Sequence, residues 1–266
     1  MSNEGFQIAA AAAERYEHHV SRFMLAFADA IIDAGTPTTG EAVLDVACGT
    51  GFVTRRLVEH VGATGRVVGA DLNGAMVQAA AGYCPPGIKW VTAPAEAMPF
   101  ADGEFDLVLC QQGVQFFPDT LAGLREMRRV LRAGGRLAAT VWAPMSENPF
   151  MEAQALAMRS EAGNEATASF WKAIPPDGDR LLADTARDAG FTTIEVHRVS
   201  SVAELPPVEE YLQAQLAATA WGPLFAGLAD DAQRRVVEAA ASHLAAHTNT
   251  DGTLSVHFTS HVLVAS

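Results

Sequence analysis

The stretch Val43–Thr54, VLDVACGTGFVT, decides the fold: an apolar run enters an acidic residue and a small-residue turn, and a helix follows. Val43, Leu44 and Val46 read as a buried parallel strand, because apolar residues point to both faces and β-branched side chains suit the pleat. Gly49 and Gly51 let the backbone turn tightly and approach a ligand closely, with no Cβ in the way. Twenty residues after Gly51, a second strand, RVVGAD, ends in Asp71, whose carboxylate can accept hydrogen bonds from a ribose diol. The pattern implies a nucleoside-containing ligand.

The loop also narrows which nucleoside. A dinucleotide fingerprint carries a third glycine, so that helix and strand pack closely and the helix N-terminus meets a pyrophosphate. The position three past Gly51 is Thr54. S-adenosylmethionine has no phosphate and can dispense with that glycine. Asp45, inside the strand, also fits better beside an α-ammonium or a loop amide than near an anionic pyrophosphate.

Five ordered motifs extend the pattern: VLDVACGTG, VVGADLNGAMV, APAEAMPF, FDLVLCQQGVQFFPD and LRAGGRLAATVW. From about Glu41 to Trp142 the chain resembles the class I S-adenosylmethionine-dependent methyltransferases, in the small-molecule group that includes the ubiquinone/menaquinone C-methyltransferases. The resemblance implies an α/β, Rossmann-like, doubly wound and mostly parallel seven-stranded sheet, with a helical N-terminal lid and helical substrate-cap insertions. It divides one elaborated domain into a lid over 1–40, a cofactor-binding core over 41–145, and a remainder over 146–266 that completes the core and carries the caps.

Carried over residue by residue, the resemblance puts Asp45, Ala47, Gly49 and Gly51 on the methionyl side, Asp71 on the ribose, and Leu72 and Met76 on the adenine. Gln111 and Gln112 complete the expected cofactor set. Two departures stand out. Where the family often has an aspartate for the adenine amino group the chain has Pro94, so adenine recognition falls to backbone at Ala95 and Glu96. Where it often has a glycine the chain has Ala47, which is tolerated if its φ is negative and reads as a slightly tighter wall.

Length and composition agree with a compact enzyme. A chain of 266 residues with 49% hydrophobic types can bury a large core. Its formal charge of −13 repels phosphate backbones, which argues against nucleic-acid substrates and for small molecules or cationic intermediates as acceptors. The cluster Arg125, Arg128, Arg129, Arg132 and Arg136 mostly closes a helix, where cations offset the C-terminal partial charge. Three cysteines, an odd number, point to a reducing compartment, with the cytoplasm as the default. The apolar run from Ile8 to Ala13 is too short for a membrane anchor and lacks the basic leader of a signal peptide. Sixteen arginines against two lysines suit a GC-rich bacterial genome.

Strands are expected near 42–47, 66–71, 88–93, 105–110 and 135–142, after a helical N-terminus reaching about Ala34. Pro118 and Asp119 open a helix that stops before Gly134 and Gly135. Helices follow near 148–162 and 179–189, a strand near 191–199, and mainly helix over Ser201–Thr250. The last strand, GTLSVHFTSHVLVA, returns to the sheet edge, antiparallel by resemblance.

The acceptor then belongs beyond the carboxyl ends of the strands, over Gly49, Asp71 and Gln111. Tyr16, Phe23, Phe150, Phe170, Trp171, Tyr211, Trp221 and Phe225, from segments the sheet does not need, could wall an apolar pocket or simply pack the core. Tyr16, His18, His19 and Gln115 are candidates for positioning or deprotonating the acceptor. At most one of the adjacent histidines can face it. Gln112, Gln115, Phe116 and Phe117 are expected on the floor. No metal is expected: His243 and His247 have helical spacing but no third ligand, and His257 and His261 stand too far apart on a strand.

The leading reading is methyl transfer to oxygen, nitrogen or carbon of a small molecule by in-line displacement, giving S-adenosylhomocysteine. The alternatives are a protein that keeps S-adenosylmethionine as a structural ligand and, with less support, a nicotinamide-dependent oxidoreductase. An exposed lid helix could also serve as an interface between two copies.

Overall fold

The computed structural model describes residues 10–219 and 221–266. The first nine residues of the expected lid, with the start of the apolar run at Ile8, lie outside the described residues. The strands are β1 (Ala42–Val46), β2 (Arg66–Asp71), β3 (Lys89–Thr92), β4 (Phe105–Gln111), β5 (Leu131–Trp142), β6 (Ile194–Leu205) and β7 (Leu254–Ala265). The helices are α1 (Ala10–His19), α2 (Ser21–Gly35), α3 (Thr54–Val61), α4 (Gly74–Tyr83), α5 (Thr120–Val130), α6 (Pro149–Ala173), α7 (Gly178–Asp188), α8 (Val208–Ala218), α9 (Gly222–Ala226) and α10 (Asp230–His243).

The strands form one sheet in the order β3-β2-β1-β4-β5-β7-β6. β1 runs parallel to β2 and β4, and the order reverses around it, so the carboxyl ends of β1 and β4 diverge into a crevice. Alternation along the strands separates two apolar layers. Val43, Val67, Leu107 and Leu109 face α2 and α3, while Leu44, Val68, Val108 and Leu137 face α5 and α7. A third cluster joins α6, α8 and α10 to Phe23, Phe27, Trp142 and Phe258. Buried Asn148 ties that cap to the sheet: its amide donates to the Ala143, Pro144 and Thr259 carbonyls, and its oxygen accepts from Thr259 N–H at 2.9 Å.

Four expectations change. β7 does not lie at the edge; it sits between β5 and β6, antiparallel to both. Burial explains the order, since β7 is mostly buried whereas β6 is mostly exposed, and its Glu195, His197 and Arg198 guard a free edge. β6 also runs on to Leu205, past the expected end near 199, because each residue through Leu205 pairs with the equally long β7. The helix expected to end near 162 breaks at Gly163, where φ is +86°, and then continues to Ala173. α5 does stop before Gly134, at Val130, but β5 starts at Leu131 rather than near 135, so that Gly134 and Gly135 lie within it, where the register against β4 shifts.

Two arginines of the cluster are structural. Arg129 spans Glu126, Asp102 and the carbonyls of Met98 and Phe100, while Arg136 pairs with Glu41 and with the carbonyls that end α2. No helix among the described residues is long and apolar enough to cross a membrane.

Candidate active site

The turn from β1 to α3 takes the left-handed region at Ala47 (φ +56°), Gly49 (+54°) and Gly51 (+79°). The two glycines do different work. A Cβ on Gly49 would meet nothing within 4 Å, and this residue lines the main cavity. On Gly51 it would meet Cys84 Sγ at 2.5 Å and Trp90 at 2.8 Å. Gly51 is therefore needed for packing against α4 and β3, and it does not line the cavity as expected.

Ala47 corrects a second expectation. Its φ is positive, a conformation that costs an alanine roughly 1–2 kcal/mol. Its methyl has room because residue 113 is a glycine, where an added Cβ would fall 2.5 Å away. Gln112, next to Gly113, is also left-handed at +53°, so the ends of β1 and β4 each hold a strained residue beside the cavity.

Asp71, at the end of β2, accepts Gly49 N–H on one oxygen and Asn73 N–H on the other, both at 2.8 Å. Asn73 in turn caps α4 by accepting Ala75 N–H at 3.0 Å. Asp71 lines the cavity, and each of its oxygens has a further lone pair to offer, which suits a diol. Burial raises the Asp71 pKa, and the two backbone bonds oppose that rise. Asp45 is 1% exposed, and burial pushes it up to about 7 even though Thr54 Oγ1 donates to it at 2.5 Å. Thr54 thus fills the place of the absent third glycine with a hydroxyl that satisfies a buried carboxylate.

The cavity measures about 200 Å³ and runs from Ala47, Gly49 and Asp71, past Leu72, Met76, Ala95, Glu96, Gln111 and Gln112, to Trp142, Phe150 and Trp221. Asp45 lines a smaller adjoining cavity that shares Tyr16, Ala47, Gly49 and Gln111 with it. Among the described residues lining the main cavity none is Lys, Arg or His.

Helix α1 roofs the site. Glu17 accepts the Thr50 hydroxyl at 2.5 Å and pairs with Arg55 at 2.5 Å, fastening α1 to the glycine turn. On the far side the Tyr211 hydroxyl donates to the His19 carbonyl. Tyr16 lines both cavities; burial, then Asp71 and Glu17, push its hydroxyl up to about 12. It stays protonated at neutral pH and can donate a hydrogen bond but not act as a base.

The other three catalytic candidates fall away. His18 is exposed, and His19 packs against the Tyr211 ring, centroids 6.1 Å apart; neither lines the cavity. Gln115 turns from the cavity to accept Trp142 N–H at 3.1 Å, whereas Gln112, Phe116 and Phe117 do form its floor. Of the eight expected wall aromatics, Tyr16, Phe23, Phe150, Phe170 and Trp221 line the cavity, while Trp171, Tyr211 and Phe225 do not. α10 ends at His243 and His247 lies in a following 3₁₀ turn, so that pair shares no continuous helical face. No cluster able to hold a metal occurs among the described residues.

Lining residues that escaped the sequence reading include Trp142, Gln154 and Gln215. The glutamines did leave a signal. Gln154 lies four residues from both Phe150 and Met158, and Gln215 four from Tyr211, so each is polar on a buried helix face.

Residues 22–158 match the ubiE/COQ5 methyltransferase family. The chain belongs to that family. It is 44% identical over 112 residues to the ubiquinone/menaquinone biosynthesis C-methyltransferase of Hahella chejuensis, a match covering 40% of the chain and 45% of that protein. It is 31% identical over 190 residues to the enzyme of the same description from Klebsiella pneumoniae, covering 64% of the chain and 74% of that protein. A phosphoethanolamine N-methyltransferase of Haemonchus contortus, solved with phosphomonomethylethanolamine and S-adenosylhomocysteine, shares the fold at a TM-score of 0.61 and 18% identity, over 97% of this chain and 57% of that one. This member of the ubiE/COQ5 family is thus an S-adenosylmethionine-dependent methyltransferase with a small-molecule acceptor, and the oxidoreductase reading is set aside.

Proposed function

We propose that the chain methylates an uncharged, largely apolar small molecule held against the aromatic wall, with S-adenosylmethionine at the Gly49–Asp71 end. One observation carries this reading: a single cavity joins the glycine turn to Trp142, Phe150 and Trp221 with no cationic side chain among its described lining residues. Phosphorylated or carboxylated acceptors would lose their hydration there without gaining a counter-charge.

When bound, the cofactor supplies a methyl group on a positively charged sulfur. The chain's own residues bind, orient and exclude water. The Asp71 lone pairs left by Gly49 and Asn73 would accept the ribose hydroxyls, Leu72 and Met76 would flank the adenine, and the backbone at Ala95 and Glu96 would meet its edge. Asp45, Ala47 and Gln111 enclose the amino-acid end. Helix α1 acts as the lid, α6, α8 and the segments beyond them as the cap, and Tyr16 is a positioning donor under the lid. Closure holds the acceptor in line and keeps water out. With Cys48, Cys84 and Cys110 all free thiols, we take the reducing cytoplasm as the working compartment.

The test incubates purified protein with methyl-labelled S-adenosylmethionine and fractionated bacterial small molecules, with no added metal. Label should move into the solvent-extractable neutral fraction as S-adenosylhomocysteine accumulates. Label confined to anionic, water-soluble products would overturn the acceptor class, and a requirement for added metal would overturn the metal-free site.

A further inference from the structure

The acceptor end of the cavity is walled by Phe23, Trp142, Phe150, Phe170 and Trp221, with Met151 and Thr219 between them, and it carries one pair of buried side-chain amides. Gln154, on α6, donates from Nε2 to Oε1 of Gln215, on α8, at 2.8 Å. The two side chains are 2% and 4% exposed, and both residues line the cavity. The bond uses one polar end of each amide. The other two ends, Gln154 Oε1 and Gln215 Nε2, have no protein partner among the described residues, yet neither is sealed away from space. The open space beside these buried residues is the cavity itself. If both amides were turned over, the pair would still offer one acceptor and one donor, so the chemistry does not depend on how each amide is oriented.

Burying two amides on otherwise apolar helix faces costs stability unless their remaining polar ends find partners. The packing alone does not call for them, since two apolar side chains of similar volume would fill the same space. We propose that the Gln154–Gln215 pair is the specificity-determining element for the acceptor: it selects an uncharged molecule whose apolar body lies against the aromatic wall and whose single neutral polar group, a hydroxyl or carbonyl, bonds to the pair. This rests on the reading of the cavity as the acceptor site. An amide pair can give to and take from a neutral group, but it cannot neutralise a carboxylate or an ammonium group. Discrimination has two arms: a molecule without the polar group leaves the pair unsatisfied, and a charged one is left without a counter-ion.

The test uses three probes with one ring system: naphthalene, 1-naphthol and 1-naphthoate. Binding to the protein is measured by equilibrium dialysis at neutral pH, with and without S-adenosylhomocysteine. The native protein should bind 1-naphthol about tenfold more tightly than either other probe, as expected for one neutral hydrogen bond in a dry site. The double variant Gln154→Met/Gln215→Met removes both partners together, which keeps the volume and leaves no amide orphaned. There the preference for naphthol over naphthalene should fall to about one, while S-adenosylhomocysteine affinity is retained. Native protein that prefers naphthoate, or does not distinguish naphthol from naphthalene, overturns the proposal, as does a tenfold preference that survives in the double variant. If that variant does not fold, the three native affinities still decide. Protein that prefers naphthol but does not bind S-adenosylhomocysteine would sink the cofactor reading and leave the amide pair standing.

Discussion

Replacing Asp71 with alanine should weaken cofactor binding and the fold together, in proportions the geometry sets. The carboxylate holds Gly49 N–H and Asn73 N–H at 2.8 Å each, so its removal strips two charge-assisted bonds from the turn and from the start of α4. Such bonds contribute about 1.5–3 kcal/mol each, and water entering the cavity restores part of that, leaving a loss of roughly 2–4 kcal/mol. For a chain of this length the thermal midpoint should drop by about 5–10 °C. Affinity for S-adenosylhomocysteine, measured by calorimetry well below the variant's midpoint so that all molecules are folded, should fall by at least ~10²-fold, because two ribose hydroxyls lose a charged acceptor and Gly49 loses its anchor. Asp71→Asn should lie between, since a carboxamide oxygen can still accept one of the two N–H groups. An alanine variant with a lowered midpoint but unchanged affinity per folded molecule would refute the ribose role and leave Asp71 as a strand-end cap.

Three further outcomes follow from neighbouring geometry. Gly113→Ala, whose φ of −98° tolerates a side chain, drives a Cβ to within 2.5 Å of Ala47 Cβ and 2.8 Å of Cys110 Sγ, and should cost about 1–3 kcal/mol; adding Ala47→Gly should restore part of that loss in a double-mutant cycle by denaturant titration, and strict additivity would contradict the contact. Asp45 holds a proton in the native state up to about pH 7 that the unfolded chain releases near 3.8, so its contribution is whole below the ordinary carboxylate pKa and is lost as pH rises to about 7. Asp45→Asn should flatten the stability decline between pH 4 and 7 by at most about 4 kcal/mol, and parallel pH profiles for variant and native protein would count against the shift. Glu17→Ala releases α1 from Thr50 and Arg55, so limited proteolysis near Arg15 should speed up about tenfold, with a midpoint change of only a few degrees; unaltered proteolysis would mean that α1 is held mainly by α8.

What the sequence disclosed and what it hid differ in kind. β1, β2 and β4 were legible because both of their faces are covered, so their residues report burial, and Asp71 because it is an acidic residue at the carboxyl end of such a strand, although its two backbone partners were not. The glycines were legible as absences only. The letter G records that a Cβ is missing but not which atoms take its place: open cavity at Gly49, Cys84 and Trp90 at Gly51, the Ala47 methyl at Gly113. Ala47 shows the consequence, since the side chain lost at residue 113 is what admits one at residue 47, a relation between positions 66 apart that no local pattern carries. The roof posed the same difficulty with side-chain direction. Tyr16, His18 and His19 are near neighbours in sequence, yet a helix turns about 100° with every residue, so the cavity takes Tyr16, solvent takes His18, and Tyr211 takes His19. Which side of α1 faced inward depended on α8, more than 190 residues away. Composition could nominate residues able to move a proton, but the cavity receives only one of the four nominated, and burial holds that one in its protonated form. On the reading proposed above, these residues bind, enclose and orient, and of the four nominated only Tyr16 is placed to meet an acceptor, as a hydrogen-bond donor.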